Sequence, residues 1–431
     1  MNYFKQIYYE MKHQKMMTWV SISGTALAIF LVMAVIMAEG IYDVAVKPES
    51  NRDRLMYGTG MHVKNDRGES SGMALSYNKA RQLYDGLDGV EQLSYIRTQD
   101  LLNVASAGRS VESMKCLCAD GNLWSIYDYE FIYGRPFTKE EADAQAKVAV
   151  VTRSTARKLF GEEDVTNRQI DVNSFPYTII GVIEDINPLL TQSYTKIITP
   201  YNPANNNSNS WFGDYFGNTN VLLLAQENAD IKNIKDQVKQ RYDRLNAEVA
   251  KDNEEVKYHD QPYTAREIAL GDFGSNNGPD TEGHDKQNML ILAILILLPA
   301  INLSSMTRSR LRHRVTEIGV RRAFGAPRVS IIRQMFGENM IITLLGGAIG
   351  LVLSFVFMLF FSNVFFQFDN SMWGSASLDM LTARPDFGML FRWSNFFGVL
   401  ILCFVLNLLS ATVPAWKASK VQPASALSGS R

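Results

Sequence analysis

Cysteine is nearly absent from this chain: Cys116, Cys118 and Cys403 are the three among 431 residues. No disulfide framework can rest on so few. A Cys-x-Cys without further Cys or His at ligand spacing matches no metal motif. On a strand its two members share a face, but a disulfide across that spacing is strained. Both are expected to be small, structurally neutral residues. Histidine is also sparse, at positions 13, 62, 259, 284 and 313, with no metal spacing. Nowhere does G-x-x-x-x-G-K-[ST] occur to cradle nucleotide phosphates, nor H-E-x-x-H. The acidic pairs Glu162-Glu163 and Glu254-Glu255 read as solvated faces. The chain is therefore expected not to be an enzyme and to hold no catalytic, cofactor-binding or metal-binding residue. An excess of one charge is lacking too. The 43 basic and 44 acidic residues leave a net charge of −1, which is no basis for a nucleic-acid partner.

What the chain does have is four long apolar runs: Met17–Ala38, Met289–Thr307, Met340–Phe366 and Phe396–Trp416. About 20 mostly apolar residues suffice for a helix to cross the hydrocarbon of a bilayer. The runs set membrane spans at 17–38, 289–307, 336–368 and 394–416. Lys5, Lys12 and Lys15 precede the first as they would in a signal peptide. Its apolar core is too long for that role, and Ile36-Met37-Ala38 is a poor cleavage site, so it reads as an uncleaved anchor. Orientation follows from the basic residues. Segments 1–16, 308–335 and 417–431 together hold 14 basic and 2 acidic residues, against 29 and 42 in the rest. Four crossings place these three segments on one side, and the positive-inside bias makes that side the cytoplasm. Residues 39–288 and the loop 369–393 then lie outside. The fold class is a multi-pass α-helical membrane protein with a large extracytoplasmic domain between helices one and two.

That domain reads as mixed α and β. Strands are expected at Lys147–Val151, Pro176–Glu184 and Asn220–Ala225. Ser76–Leu87 reads as an amphipathic helix with Ala80, Leu83, Tyr84 and Leu87 on one side. Thr152–Phe160 reads as a helix stopped by Gly161. In Asp230–Lys251, Ile231, Ile234, Val238, Tyr242, Leu245 and Val249 recur at helical spacing. Asn202–Asn220 reads as a loop whose Trp211, Phe212, Tyr215 and Phe216 either pack on their own domain or touch a partner or membrane. Gly271–Lys286 reads as a linker back to the membrane. Within the spans, Gly346-x-x-x-Gly350 and Gly24-x-x-x-Ala28 allow close helix approach, Pro299 with Asn302 is expected to bend the second helix, and Glu338 is either interfacial or turned into the bundle.

Three stretches resemble the MacB/FtsX (type VII) family of ABC permeases. The first is Asn302-Leu303-Ser304-Ser305 through Glu317-Ile318-Gly319-Val320-Arg321-Arg322-Ala323-Phe324-Gly325-Ala326 to Ile331-Ile332-Arg333-Gln334-Met335 and Glu338. It is similar to the family's cytoplasmic segment between the second and third helices. The second, Pro414-Ala415-Trp416-Lys417-Ala418-Ser419-Lys420-Val421-Gln422-Pro423-Ala424, resembles the family's ending. The third, Val148–Gly161 followed by Tyr177–Glu184, resembles the MacB-like periplasmic core domain, with Val165-Thr166-Asn167-Arg168 departing from the family's usual P-[IVL]-G-K.

The resemblance implies the permease subunit of an ABC transporter in the bacterial inner membrane, with both termini cytoplasmic and residues 39–288 periplasmic. ATP and Mg would be bound by a separate ATPase subunit and no cofactor by this chain. Glu317, Ile318, Gly319, Arg321, Arg322, Gly325 and Ala326 are the implied ATPase-coupling residues, and Gly346 and Gly350 are expected helix-packing residues. By its charge alone, the Arg-rich segment fits a loop lying on anionic lipid better than a docking element. Implied partners are the ATPase, a second permease copy or paralogue, the bilayer and a periplasmic adaptor. Implied work is mechanotransmission for export or extraction of a peptide, drug or lipoprotein. The alternative is a membrane-anchored binding or sensor protein, or a regulator of a cell-wall hydrolase.

Overall fold

The computed structural model describes residues 15–64, 70–106, 110–202, 215–270, 278–297, 320, 323–325, 327–366 and 384–419. The chain divides into a helical unit, drawn from its two ends, and an α/β unit built chiefly from Tyr42–Thr281.

The helical unit holds α1 (Lys15–Asp43) up to Ile41. Its other helices are α5 (281–297) from Glu282 onward, α6 (Arg328–Phe366) and α7 (Trp393–Ser419). α1 and Ile332–Phe361 of α6 are each long and apolar enough to cross a membrane, and Trp393–Val405 is a shorter apolar helix. Small residues let these helices approach. Ser21 and Thr25 return their hydroxyls to the carbonyls of Met17 and Ser21, at 2.9 Å each, which hides polar atoms on a helix that has no water to satisfy them. Phe30 of α1 meets Phe357 of α6 edge-on, with centroids 5.3 Å apart. α5 corrects one expectation: residues 281–286 form its first turns, not a linker. Lys286 pairs with Glu282 one turn earlier at 2.9 Å, so polar residues that read as a loop carry a helix by local pairing. The bend expected at Pro299 lies outside the described residues.

In the α/β unit, thirteen described strands run in chain order: β1 (Leu55–Gly58), β2 (Met61–Lys64), β3 (Ser70–Met73), β4 (Val90–Ala105), β5 (Glu112–Ala119), β6 (Phe131–Gly134), β7 (Val148–Thr152), β8 (Gln169–Val172), β9 (Phe175–Ile183), β10 (Ile197–Pro200), β11 (Asn220–Ala225), β12 (Glu255–Lys257) and β13 (Tyr263–Thr264). One sheet takes the order β13-β1-β11-β4-β5-β10-β7-β9-β6, with β8 paired to β4 and β9; a small sheet takes β12-β2-β3. The pairs β5–β10 and β7–β9 are parallel and the rest antiparallel. Three helices cover it, each starting on a side-chain cap of the kind that satisfies an orphan N–H. Ser76 caps α2 (Tyr77–Tyr84) by accepting from Lys79 N at 3.2 Å. Thr152 caps α3 (Arg153–Phe160), which Gly161 ends at φ 84°. Asp230 caps α4 (Ile231–Val249) through Lys232 N at 2.9 Å.

Two hydrophobic cores sit on the one sheet. Ala80, Leu83 and Tyr84 of α2 and Ile234, Val238, Tyr242 and Leu245 of α4 pack with Met56, Val221 and Leu223, and the small sheet adds Met61, Val63 and Val256. Ala156 and Leu159 of α3 pack instead on Met114, Cys116, Val151, Ile179, Val182 and Ile197. Each fully buried side chain of this size contributes about 1.5–3 kcal/mol. Of the aromatics expected in the 202–220 loop, Phe216 is buried and Tyr215 packs beside it in the first core. They therefore serve their own domain, while Trp211 and Phe212 lie outside the described residues.

His62 and His259 meet in the α/β unit edge to face, centroids 4.9 Å apart. His62 Nδ1 and His259 Nε2 are buried with no hydrogen-bond partner among the described residues, while His259 Nδ1 accepts from Gly278 N at 3.3 Å. Burial lowers the pKa of both rings; Lys257 lowers His62 further, and at His259 the neighbouring His62 and then Lys257 lower it further while Asp260 offsets part of this. The folded state thus binds protons less readily than the unfolded chain, whose imidazoles titrate near 6.5. The sign follows from linkage: stability is full above that pH and falls as the pH drops through and below it. Urea unfolding of the parent between pH 8 and 5 is expected to show that loss, and a His62→Gln/His259→Gln variant to show less of it. Equal slopes would mean that the pair carries no charge penalty.

Candidate functional site

The seven implied coupling residues fall in the segment that leads into α6. Glu317, Ile318, Gly319, Arg321, Arg322 and Ala326 lie outside the described residues. Gly325 is described, and its φ of 86° is left-handed, a conformation that β-carbon sterics make costly for other residues. Just before it, Phe324 N donates to Val320 O at 3.1 Å, the signature of a helical turn. Just after it, Ser330 N donates to Pro327 O at 3.0 Å as α6 begins. Gly325 thus separates a short turn from a long helix. Beside it stands a group that the sequence reading missed: Phe324 is 89% exposed and Val329 also projects into open space. Their signal is an apolar residue on each side of a Gly-Ala-Pro break in an otherwise cationic segment.

Gly346 and Gly350 face α1 inside the helical unit. A β-carbon at Gly350 would lie 2.6 Å from the Ala26 carbonyl oxygen and 3.0 Å from Ile29 Cβ; one at Gly346 would lie 2.8 Å from Thr25 Cβ. The small residues therefore bring two helices of the same chain together. Glu338 is 6% exposed and accepts from Gln334 Nε2 at 3.5 Å, so of its two readings it takes the one turned into the bundle. At the other end of α1, Glu39 Oε1 meets His284 Nε2 at 3.1 Å and accepts from Asn288 Nδ2 at 2.7 Å. This polar knot joins α1 to α5, the two helices that flank the α/β unit in sequence.

A second knot lies where the chain enters the α/β unit. Glu49 is 1% exposed and pairs with the buried Arg52. Arg52 Nε also donates to the Tyr42 carbonyl at 3.0 Å, and Ser193 Oγ donates to Glu49 Oε1 at 2.6 Å. Tyr129 Oη donates to the Ser193 carbonyl at 3.0 Å. Burial first, and the Glu49 carboxylate next, push the Tyr57 phenol well above its ordinary pKa. A buried carboxylate is stable only with such partners. Within the α/β unit the network ties Tyr42, Glu49 and Arg52 to Tyr129 and Ser193, far along the chain. Among the described residues no group of three or more His, Cys, Asp or Glu is placed to hold a metal ion.

Two apolar helices long enough to cross a membrane are continuous in sequence with a capped, two-core α/β domain. The MacB-like periplasmic core domain matches residues 18–241 and the FtsX-like permease C-terminal domain residues 289–423, and the chain belongs to that family of MacB/FtsX-type permeases. Among curated relatives it is 25% identical over 296 residues to the uncharacterized ABC transporter permease YknZ of Bacillus subtilis, a stretch covering 68% of this chain and 64% of that one. It is 25% identical over 308 residues to the macrolide export ATP-binding/permease protein MacB of Bdellovibrio bacteriovorus, covering 69% of this chain and 41% of that one. The chain thus spans less than two thirds of either relative. The periplasmic region of MacB from Actinobacillus actinomycetemcomitans aligns with 48% of this chain and 89% of its own, at 15% identity and a TM-score of 0.35.

Proposed function

We propose that this chain is the permease subunit of an ABC transporter, coupling ATP hydrolysis in a partner ATPase to movement of its exterior domain. Two family matches spanning both halves of the chain carry this reading. In it α1, α5, α6 and α7 are four membrane spans with both termini cytoplasmic. Phe324 in the turn before Gly325 and Val329 at the start of α6 seat in a groove of the ATPase, and the Gly325 hinge passes that motion into the spans. The relatives' names point to export, so the work outside is expulsion or extraction of a peptide, drug or lipoprotein. The bacterial inner membrane is the site, and a second permease copy or paralogue and a periplasmic adaptor complete the assembly.

Two measurements test this. Phe324→Asp, which buries a charge in any apolar seat, is expected to weaken ATPase association at least about 100-fold, as truncating an interface anchor commonly does. Co-purification from detergent and stimulated ATP turnover read the effect; unchanged association refutes the coupling role. Topology is read by cysteine labelling of whole cells. A cysteine at Asp185 should react with an impermeant maleimide from outside, and one at Lys420 only after permeabilisation. The opposite pattern removes the four-span arrangement.

A further inference from the structure

Cys116 and Cys118 lie two apart on β5, in the middle of the large sheet, and the coupling reading gives them no role. Their sulfurs are 4.0 Å apart. The hydroxyl of Thr199, opposite Cys118 on β10, completes a triangle at 3.3 Å from Cys118 Sγ and 3.7 Å from Cys116 Sγ. Arg97, opposite Cys118 on β4, brings a positive charge to the same place. Cys116 is buried and Cys118 is partly buried, packed against the core under α3.

An internal disulfide does not fit this geometry. Residues two apart on a strand hold their α-carbons about 6.6–6.8 Å apart, at the far edge of the disulfide range, and the sulfurs would have to close to about 2.05 Å. Ladders on both sides resist that collapse: Cys116 pairs with Gln99 and Ile197, and Cys118 with Arg97 and Thr199. A bridging ion fits instead. Two thiolates at about 2.3 Å from one ion, subtending about 120°, place their sulfurs about 4.0 Å apart, which is the spacing found. A zinc-like divalent ion wants four ligands, and two sulfurs with one hydroxyl fall short. Soft monovalent ions accept low coordination and prefer thiolate. Charge agrees: one monovalent ion with two thiolates carries a net −1, which the Arg97 guanidinium offsets.

We propose that Cys116 and Cys118 form a two-thiolate binding site for a soft monovalent cation of the cuprous or silver class on the α/β domain, with the Thr199 hydroxyl donating to the Cys118 sulfur as a supporting group. Binding displaces two thiol protons to solvent and forms two metal–sulfur bonds, with no change of oxidation state. It also ties two positions of β5 beside β10, tightening the sheet at its parallel pair.

The test is an anaerobic titration of the full chain in detergent with cuprous ion supplied from a coloured chelator complex. One equivalent per chain should be withdrawn from the chelator. Cys116→Ser and Cys118→Ser should each weaken binding at least about 100-fold, since a hydroxyl is a poor ligand for a soft ion. Thr199→Val should weaken it about 10-fold, as loss of a supporting group commonly does, and Cys403→Ser should leave it unchanged. Zinc at the same concentration should not compete. A parallel measurement needs no variant: one equivalent of cuprous ion should protect Cys116 and Cys118, and not Cys403, from alkylation mapped by mass spectrometry. Undiminished affinity in the Cys116→Ser/Cys118→Ser double variant, equal competition by zinc, or alkylation of both thiols in the loaded protein would each overturn the assignment.

Discussion

Replacing Arg52 by alanine is expected to destabilise the α/β domain by about 3–5 kcal/mol, the usual cost of leaving a buried charge without its partner. Glu49 would keep its burial and lose its counter-charge, retaining only the Ser193 hydroxyl as a described donor. Domains of ordinary stability have about 5–15 kcal/mol in total, so the loss is a large fraction. For a domain of this size it corresponds to a fall of roughly 10 °C in melting temperature. Arg52→Lys keeps the charge but not the forked geometry that reaches both Glu49 and the Tyr42 carbonyl, and it should fall between parent and alanine. The double change Glu49→Gln/Arg52→Met should recover part of the loss, because removing both charges removes the penalty. Thermal unfolding of the detergent-solubilised chain reads all three. An Arg52→Ala variant within about 1 kcal/mol of the parent would show that Glu49 finds water or protonates without cost.

Gly350→Val should be the second large effect. Its first side-chain atom would sit 2.6 Å from Ala26 O and 3.1 Å from Phe30 N, both backbone atoms that no rotamer change can move. Overpacking of this kind costs about 1–3 kcal/mol and occasionally more, and in lipid no hydrophobic gain returns it, because helices there hold together by close packing. α1 and α6 must then separate. A cysteine pair placed at Phe30 and Phe357, whose rings are 5.3 Å apart, should oxidise readily in the parent background and much more slowly with Gly350→Val. Gly350→Ala should lie between. Equal oxidation in all three would mean that the glycine contact does not set the helix spacing.

Local rules reached much of the α/β unit. β11 occupies the span expected for it, Asn220–Ala225, because a continuous apolar run suits a strand buried on both faces. α4 begins and ends within two residues of the reading, since its cap and its apolar stripe agree. α3 stops at a left-handed glycine as expected. The sheet order was not legible, because pairings such as β1 with β11 join residues more than 160 positions apart. Nor was the buried Glu49–Arg52 pair, which in a Pro-Glu-Ser-Asn-Arg string has the composition of a solvated turn. Only tertiary closure by Ser193 makes it an interior group. The start of α5 was misread because its first turns are polar and contain Gly283, so apolar periodicity had nothing to register. Of the candidate site, the glycines of α6 stood out in the sequence only by their spacing. Phe324 was not, because exposure is a property of the fold and a single phenylalanine looks the same in a core.

β4 runs for 16 residues, from Tyr95 in one hydrophobic core to Val104 in the other, and its pairing with β5 slips between Gln99 and Leu102. One continuous strand thus serves as the shared wall of both cores, and the slip in its pairing marks where one core gives way to the other.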